Sequence, residues 1–291
     1  MMMRPLPFLE RATVIGANGF VGRHLVDALS LVADTVIACT SAEQPPTWQP
    51  EANVQQYPLS DAAAFDSAPE LFASGPVFML PQLQRPSIDW MLDRIDGPRW
   101  VVFSSAQLSA AEVAPGYAVA ASRERAAAAR GATVIRPTMI FGRGGDKNLT
   151  SVIRTMGRTR VPVQMGDGGQ LVQPIHVDDL IDLLLRVGHQ GGQTGVFEAG
   201  GSEQLPSREL MAMISELLGV RTPVLSVPNG VLSAAAVIAP IAGLRADQIR
   251  RLVEDKVVDN TAAMTTFGWT PDTLAHRLEA AVAFVGFGSE H

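Results

Sequence analysis

The run Ala12-Thr13-Val14-Ile15-Gly16-Ala17-Asn18-Gly19-Phe20-Val21-Gly22-Arg23-His24-Leu25 constrains the fold more than any other stretch of this chain. The β-branched run Thr13 to Ile15 stops at a glycine, after which Gly16, Gly19 and Gly22 recur at every third position. Val21, Leu25, Leu29 and Val32 then fall at helical intervals, so the stretch reads as strand, tight turn and helix. Gly16 admits a turn that a Cβ blocks, and Gly19 lets the backbone approach a pyrophosphate. Gly22 lets the helix pack tightly on the strand, with its N-terminal N–H groups and dipole facing the phosphates. A glycine-rich turn without a ligand is the plain alternative. The placement between a strand and a helix favours dinucleotide binding, with NAD or NADP as cofactor and Gly16, Asn18, Gly19, Phe20, Val21 and Gly22 as the contact turn.

With 291 residues, 47% of them apolar, the chain can bury one large core or two modest ones. A formal net charge of −6 argues against a nucleic-acid partner, because no basic patch could release many counterions. The single cysteine, Cys39, excludes an intrachain disulfide and fits a reducing compartment. Residues Met1 to Arg11 lack the apolar core of a signal peptide. The longest apolar run, Val231 to Leu244, contains Pro240 and is too short to span a bilayer, so it reads as a buried or lid helix. The expectation is a soluble, cytoplasmic monomer or homodimer without a transmembrane segment, acting on a small molecule. No metal site is assigned.

Further along, Thr35 to Cys39 reads as a second strand, followed by Thr40-Ser41-Ala42-Glu43 and a proline-rich loop through Pro50. A Rossmann unit places an acid at this strand tip for the ribose diol, or an arginine for a 2′-phosphate. Neither stands here, so the choice between NAD and NADP is open; Arg23 could serve a 2′-phosphate or form a solvated helix face. Val54 to Leu59, Pro76 to Pro81, Trp100 to Phe103, Thr133 to Pro137 and Gly195 to Ala199 read as further strands. Between them, Ser87 to Ile95 and the alanine-rich Tyr117 to Arg130 read as helices, with Ser87 available as a cap. This alternation predicts an α/β fold, a doubly wound parallel sheet of Rossmann type. From Asp146 the pattern changes to helices and loops.

These motifs in this order resemble the extended and atypical branches of the short-chain dehydrogenase/reductase superfamily, which include the NAD-dependent epimerase/dehydratase proteins. The resemblance covers nearly the whole chain. It rests on Gly16 to Gly22, Leu59-Ser60-Asp61, Phe103-Ser104-Ser105, Arg136-Pro137 with Phe141-Gly142, His176-Val177-Asp178-Asp179 and the ending Phe267-Gly268-Trp269-Thr270-Pro271. It implies a dinucleotide-binding domain over 8–145, completed by about 175–200, and a smaller, mostly helical substrate lobe from 146–174 and 201–291. It also implies that Asp61 contacts the adenine, that Thr40 and Pro137 join the cofactor site, and that Ser105 and Tyr117 are catalytic.

The catalytic pattern departs from the family's. Its enzymes pair a tyrosine with a lysine four residues later, whose ammonium lowers a phenol that otherwise titrates near pH ~10 and orients the nicotinamide ribose. Tyr117 is followed at that spacing by Ala121, and the chain's only lysines are Lys147 and Lys256. Arg123 and Arg125 lie round the helix from Tyr117, and Glu124, on its face, has the opposite sign to the lysine. Nucleotide-sugar enzymes of the family also carry a diphosphate-holding arginine six residues before the first aspartate of Val-Asp-Asp; here that position is Val172. Ser105 reads equally as a substrate-oxygen donor and as a strand-end cap. His176 reads as structural, and Asp178 and Asp179 as caps of the helix that begins there. Two functions follow: an oxidoreductase or epimerase acting on a small carbonyl or hydroxyl substrate, or a cofactor-binding sensor or assembly protein without redox turnover.

Overall fold

The computed structural model describes residues 8–41, 51–85, 88–108, 117–143, 146, 148–227 and 254–286. In chain order it opens with β1 (Leu9–Ile15), α1 (Phe20–Ser30), β2 (Ala33–Thr40), β3 (Val54–Pro58), α2 (Ala62–Asp66), β4 (Val77–Met79) and α3 (Asp89–Leu92). β5 (Trp100–Phe103), α4 (Ala118–Ala129), β6 (Thr133–Pro137), β7 (Ile140–Phe141), α5 (Leu149–Thr159), β8 (Val163–Met165), β9 (Leu171–Val172) and β10 (Ile175–His176) follow. The remainder is α6 (Val177–His189), β11 (Gly195–Ala199), β12 (Leu205–Pro206), α7 (Ser207–Leu217), β13 (Leu225–Val227), α8 (Thr261–Phe267) and α9 (Leu274–Val285). The apolar run Val231 to Leu244 and the expected cap Ser87 lie outside the described residues.

The chain divides into two units. The first comprises Met1–Pro137, Asp178–Ala199 and Asn260–Thr270. Its centre is a seven-stranded parallel sheet in the order β11-β6-β5-β4-β1-β2-β3. The chain builds outward from β1 to β3, then returns to β4 and builds the other way, so the order reverses between β1 and β4. A parallel sheet flanked by helices must be apolar on both faces. Accordingly β4 is wholly buried, and Trp100, Val101 and Val102 of β5 are at most 1% exposed. Phe65 stacks on Phe72 with ring centres 4.1 Å apart and tilts against Trp100 at 6.2 Å.

Ion pairs and caps fix the surrounding pieces. Arg123 of α4 makes a bidentate pair with Asp89 of α3 at 2.6 and 2.7 Å, and about two turns further Arg130 reaches Asp93 at 3.0 Å. The helix at α3 is shorter than the periodicity over Ser87 to Ile95 predicts, because the amides of Arg94 and Ile95 bond back three residues instead of four. The late segment Asn260–Thr270 belongs to this unit through Trp269, whose indole N–H donates to the Asp179 carbonyl at 2.9 Å, and through Phe267 against Phe197 at 4.8 Å. Gly268, at φ 61°, ends α8 in the left-handed conformation that this turn requires.

The second unit comprises Thr138–Val177, Gly200–Asp259 and Pro271–His291. α5, α7 and α9 bury Leu149, Ile153, Met156, Leu210, Ile214 and Leu278 against one another. The unit is less purely helical than its sequence suggests. Among the described residues it carries three two-stranded ladders: β7 with β10, β9 with β12, and β8 with β13. Arg160 ends α5 at φ 58° and donates to the Leu218 and Gly219 carbonyls at 2.8 and 2.7 Å, so one residue closes the C-terminal ends of two helices.

Trp269 is 1% exposed, and its hydrogen bond leaves the Asp179 carbonyl no need of water. Trp269→Phe is expected to cost about 2 kcal/mol, from a lost buried hydrogen bond and a small cavity. A reversible denaturant melt measures it; an unchanged midpoint would show that the last segment contributes little to the first unit.

Candidate functional site

The glycine turn is tied to both strands beside it. The amides of Gly16 and Ala17 both donate to the Cys39 carbonyl at 3.1 Å, and Gly19 N–H closes the turn on the Gly16 carbonyl at 3.0 Å. Gly16 sits at φ 88°, a region that side chains with a Cβ avoid. A Cβ built on Gly22 would lie 2.2 Å from the Gly16 oxygen and 2.9 Å from Ala17 Cα, closer than any atom can stand. Helix α1 therefore reaches β1 only because residue 22 has no side chain. At its start Gly19 is exposed, no side chain caps the helix, and no acid stands in its first turn. An open, positively polarised helix end with a bare backbone approach fits a pyrophosphate.

The neighbouring expectations fall as follows. Asn18 and Phe20 are half-buried, whereas Val21 and Gly22 are buried, so position 21 offers a ligand only its backbone. Thr40 ends β2, buried, with its carbonyl accepting from Leu59 N–H at 2.8 Å. Asp61 is exposed and caps α2, accepting from the Ala64 amide at 2.9 Å and from Ser60 Oγ at 3.2 Å. Pro137 is buried at the end of β6 beside Ala199. Arg23 lies over the Phe20 ring at 5.7 Å, and Phe20 meets His24 edge-on at 5.1 Å. Burial pushes the Cys39 thiol up to about 12, so it stays protonated, and its contribution is the carbonyl that anchors the turn.

At the other half of the sheet the structure assembles a group that sequence reasoning missed. Ser104, just past β5, donates its hydroxyl to the Glu124 carboxylate. Arg136 of β6 donates to the same carboxylate through Nε at 2.9 Å and Nη2 at 2.5 Å, and its Nη1 lies 3.7 Å from Glu198. Glu198 is the register partner of Arg136 on β11. The hydrogen bond to Glu124 raises the Arg136 guanidinium above its ordinary value, against the opposing cost of its burial. Glu124 is only 3% exposed, so the pair is a buried one, and removing either partner would strand a charge. A visible signal existed in Thr133-Val134-Ile135-Arg136: a charge inside a buried strand demands a partner.

The expected catalytic residues have structural employment. Ser105 Oγ accepts from the Gln107 amide at 3.3 Å, and its carbonyl accepts from Leu108, so it starts the helical turn Ala106–Leu108. Tyr117 stands immediately before α4 and packs, partly buried, on the apolar cluster of the first unit. Ala121, at the lysine's spacing, is 6% exposed and belongs to that same cluster. Arg123 is committed to Asp89 and to the Leu83 carbonyl at 2.7 Å. In the second unit, Val172 is 7% exposed within the apolar core and pairs with Leu205. His176 is buried edge-on to Phe141 at 5.2 Å, and Asp178 and Asp179 occupy the first turn of α6, where the helix dipole favours them.

A doubly wound sheet with a glycine turn at the start of its first helix defines the class: this is a Rossmann-type α/β structure, with a second unit formed by other segments of the chain. More particularly, its fold is shared with solved epimerases and dehydratases. No family model and no curated protein matches the chain by sequence. Among solved structures, UDP-glucose 4-epimerase of Thermotoga maritima, determined with UDP-glucose, is 18% identical over 94% of this chain and 98% of its own, with a TM-score of 0.69. The dTDP-glucose 4,6-dehydratase of Bacillus anthracis, determined with NAD, is 16% identical over 94% and 96%, with a TM-score of 0.73. An epimerase of Methanothermobacter thermautotrophicus is 14% identical over 95% and 92%, also at 0.73.

The geometry of the turn makes a separable prediction. Gly19→Val fills the approach to the helix end, its Cβ 3.2 Å from the Gly16 carbonyl oxygen, and is expected to weaken NAD(H) or NADP(H) binding by calorimetry through steric exclusion of the pyrophosphate. Gly22→Ala, with its Cβ forced against the Gly16 carbonyl, is expected to lower the melting temperature as well. Equal affinity of wild type and Gly19→Val would remove the turn from the site.

Proposed function

We propose that this chain is an NAD(P)-binding protein of the short-chain dehydrogenase/reductase fold that holds its cofactor without the tyrosine–lysine proton relay. It acts as a cofactor-binding sensor or assembly protein. The observation that carries the reading is the contrast between the two halves of the sheet. The turn at Gly16 to Gly22 keeps the close approach that a pyrophosphate needs, while Ala121 is buried in apolar core and the nearby arginine is locked to Asp89. When bound, the cofactor supplies a nicotinamide ring able to accept or donate hydride. Gly19 and the start of α1 would hold its pyrophosphate, Asp61 its adenine side, and Thr40 and Pro137 would border it.

A second reading is an oxidoreductase or epimerase acting on a small carbonyl or hydroxyl substrate. It is favoured by the incomplete burial of Ser105 and Tyr117, which leaves a hydroxyl and a phenol within reach of a ligand. In that case Ser105 would donate to the substrate oxygen and Tyr117 would exchange its proton without an ammonium to assist it.

Tyr117→Phe separates the two. A binding protein keeps its cofactor affinity within about twofold and shows no turnover to lose. An enzyme using Tyr117 loses at least ~100-fold in rate, the usual scale for a positioned acid or base. Turnover by wild type on a panel of small aldehydes, ketones and alcohols, abolished in Tyr117→Phe, would overturn the sensor reading.

Val172 adds a prediction about substrate class. A buried valine cannot pair with a phosphate, and its neighbours Phe141, Leu205 and Leu210 give the same surface no charge. UDP-, GDP- and dTDP-sugars are therefore expected to leave the melting temperature unchanged at micromolar concentration. A large stabilisation by one of them would put a nucleotide sugar back among the ligands.

A further inference from the structure

Resting on the reading that the first unit binds a nicotinamide dinucleotide, we infer that its recognition stops at the adenosine diphosphate half, so that ADP-ribose binds as tightly as the whole cofactor. The ligand class is then any compound that carries a 5′-linked adenosine diphosphate. In a doubly wound sheet each half takes one mononucleotide, at the carboxyl ends of the strands on either side of the point where strand order reverses. The order here reverses between β1 and β4. The glycine turn with β1, β2 and β3 takes the adenosine side, and the ends of β4, β5 and β6 belong to the other.

The two halves differ in what they leave a ligand to bond. On the adenosine side the amides of Phe20, Val21 and Gly22 precede the first bond of α1, from Arg23 N–H to the Gly19 carbonyl, and no side chain caps them. On the other side the groups at the strand ends are turned inward. After β4, Leu80 N–H donates to the Ile15 carbonyl at 3.1 Å, and Pro81, which has no N–H, brings its ring to 3.4 Å from the Cβ position of Gly16. After β5, Ser104 donates its N–H to the Ile135 carbonyl at 2.8 Å and its hydroxyl to Glu124. At the end of β6, Arg136 is bonded to Glu124 through Nε and Nη2, and Pro137 has no N–H. A carboxamide or ribose hydroxyl that draws Ser104 or Arg136 to itself competes with Glu124, and leaves a carboxylate only 3% exposed short of a partner. The exchange replaces one hydrogen bond by another, so the nicotinamide half gains nothing by it.

The test is calorimetric and needs no turnover. NAD is titrated against ADP-ribose, and NADP against ADP-ribose 2′-phosphate, with nicotinamide mononucleotide as a separate probe. One net hydrogen bond to the nicotinamide half would separate the members of a pair by roughly two- to tenfold. In the tighter pair the dinucleotide is expected to bind no more than about twofold more tightly than its adenosine half. Nicotinamide mononucleotide is expected to give no binding heat at millimolar concentration. Ser104→Ala, with a melting curve to confirm that it folds, is expected to leave both affinities of the pair unchanged. A dinucleotide bound more than about twofold tighter than its adenosine half overturns the inference and leaves dinucleotide binding standing. Binding of nicotinamide mononucleotide does the same, as does a Ser104→Ala variant that loses affinity for the dinucleotide alone. If none of the four adenosine ligands binds, the dinucleotide reading fails and this inference with it.

Discussion

Helix α1 can lie against β1 only because residue 22 has no Cβ: an added methyl would stand 2.2 Å from the Gly16 carbonyl oxygen. Much of the first unit follows from that approach. It aims the open start of the helix at the carboxyl end of β1. It also turns the chain so that the amides of residues 16 and 17 can both bond the Cys39 carbonyl of β2. The same two hydrogen bonds join the turn to the neighbouring strand, so its shape is fixed by the sheet before any ligand arrives. Preorganisation of this kind costs a glycine's backbone entropy in the unfolded chain and returns it as a site needing little rearrangement.

The opposite half of the sheet is organised by charge instead of by close approach. Arg136 emerges from a strand whose preceding three residues are fully buried, and it cannot be left alone there. Glu124 and Glu198 answer it from a helix and from the edge strand. The network thereby joins α4, β5, β6 and β11 with directional bonds where apolar packing alone would leave the strand ends free to slide. A lysine at position 121 would have to carry its stem through the apolar cluster that now holds Ala121. Packing and electrostatics thus give this helix a buried apolar residue at 121 and a buried, paired acid at 124, about one turn further along.

The parts of this arrangement legible in the sequence are those with short-range grammar. Glycines at every third position, bounded by a β-branched run and a helical apolar stripe, specify strand, turn and helix locally, and the structure shows β1, the turn and α1 there. The continuous apolar run Trp100 to Phe103 and the β-branched start of Thr133 to Pro137 likewise announce buried parallel strands. Glu124 was not legible, because its partners stand 20 and 12 residues away and are brought to it only by the sheet. Read along the helix, it is an acid where a base was sought; read across the sheet, it is the centre of the polar group. The two-residue ladders of the second unit were missed for a related reason: β9 and β12 are too short to show any alternation.

Those short ladders matter to what the second unit can bind. Within β9, Val172 faces the apolar core. Its neighbour Gln173 is 4% exposed: its side chain accepts from the Val258 amide at 2.8 Å and donates to the Gly201 carbonyl at 2.9 Å. The Thr138 hydroxyl adds a bond to the Gln173 carbonyl at 2.5 Å. A strand of two residues has few backbone bonds, and here one side chain supplies apolar cohesion while the next residue, through its side chain and its carbonyl, bonds three separate segments. Both positions are consumed by holding the unit together. A phosphate-binding arginine at 172 would remove the apolar half of that support and bury a cation among Phe141, Leu205 and Leu210. Holding the unit together and holding a diphosphate are therefore competing uses of this residue, and the buried valine commits it to the first.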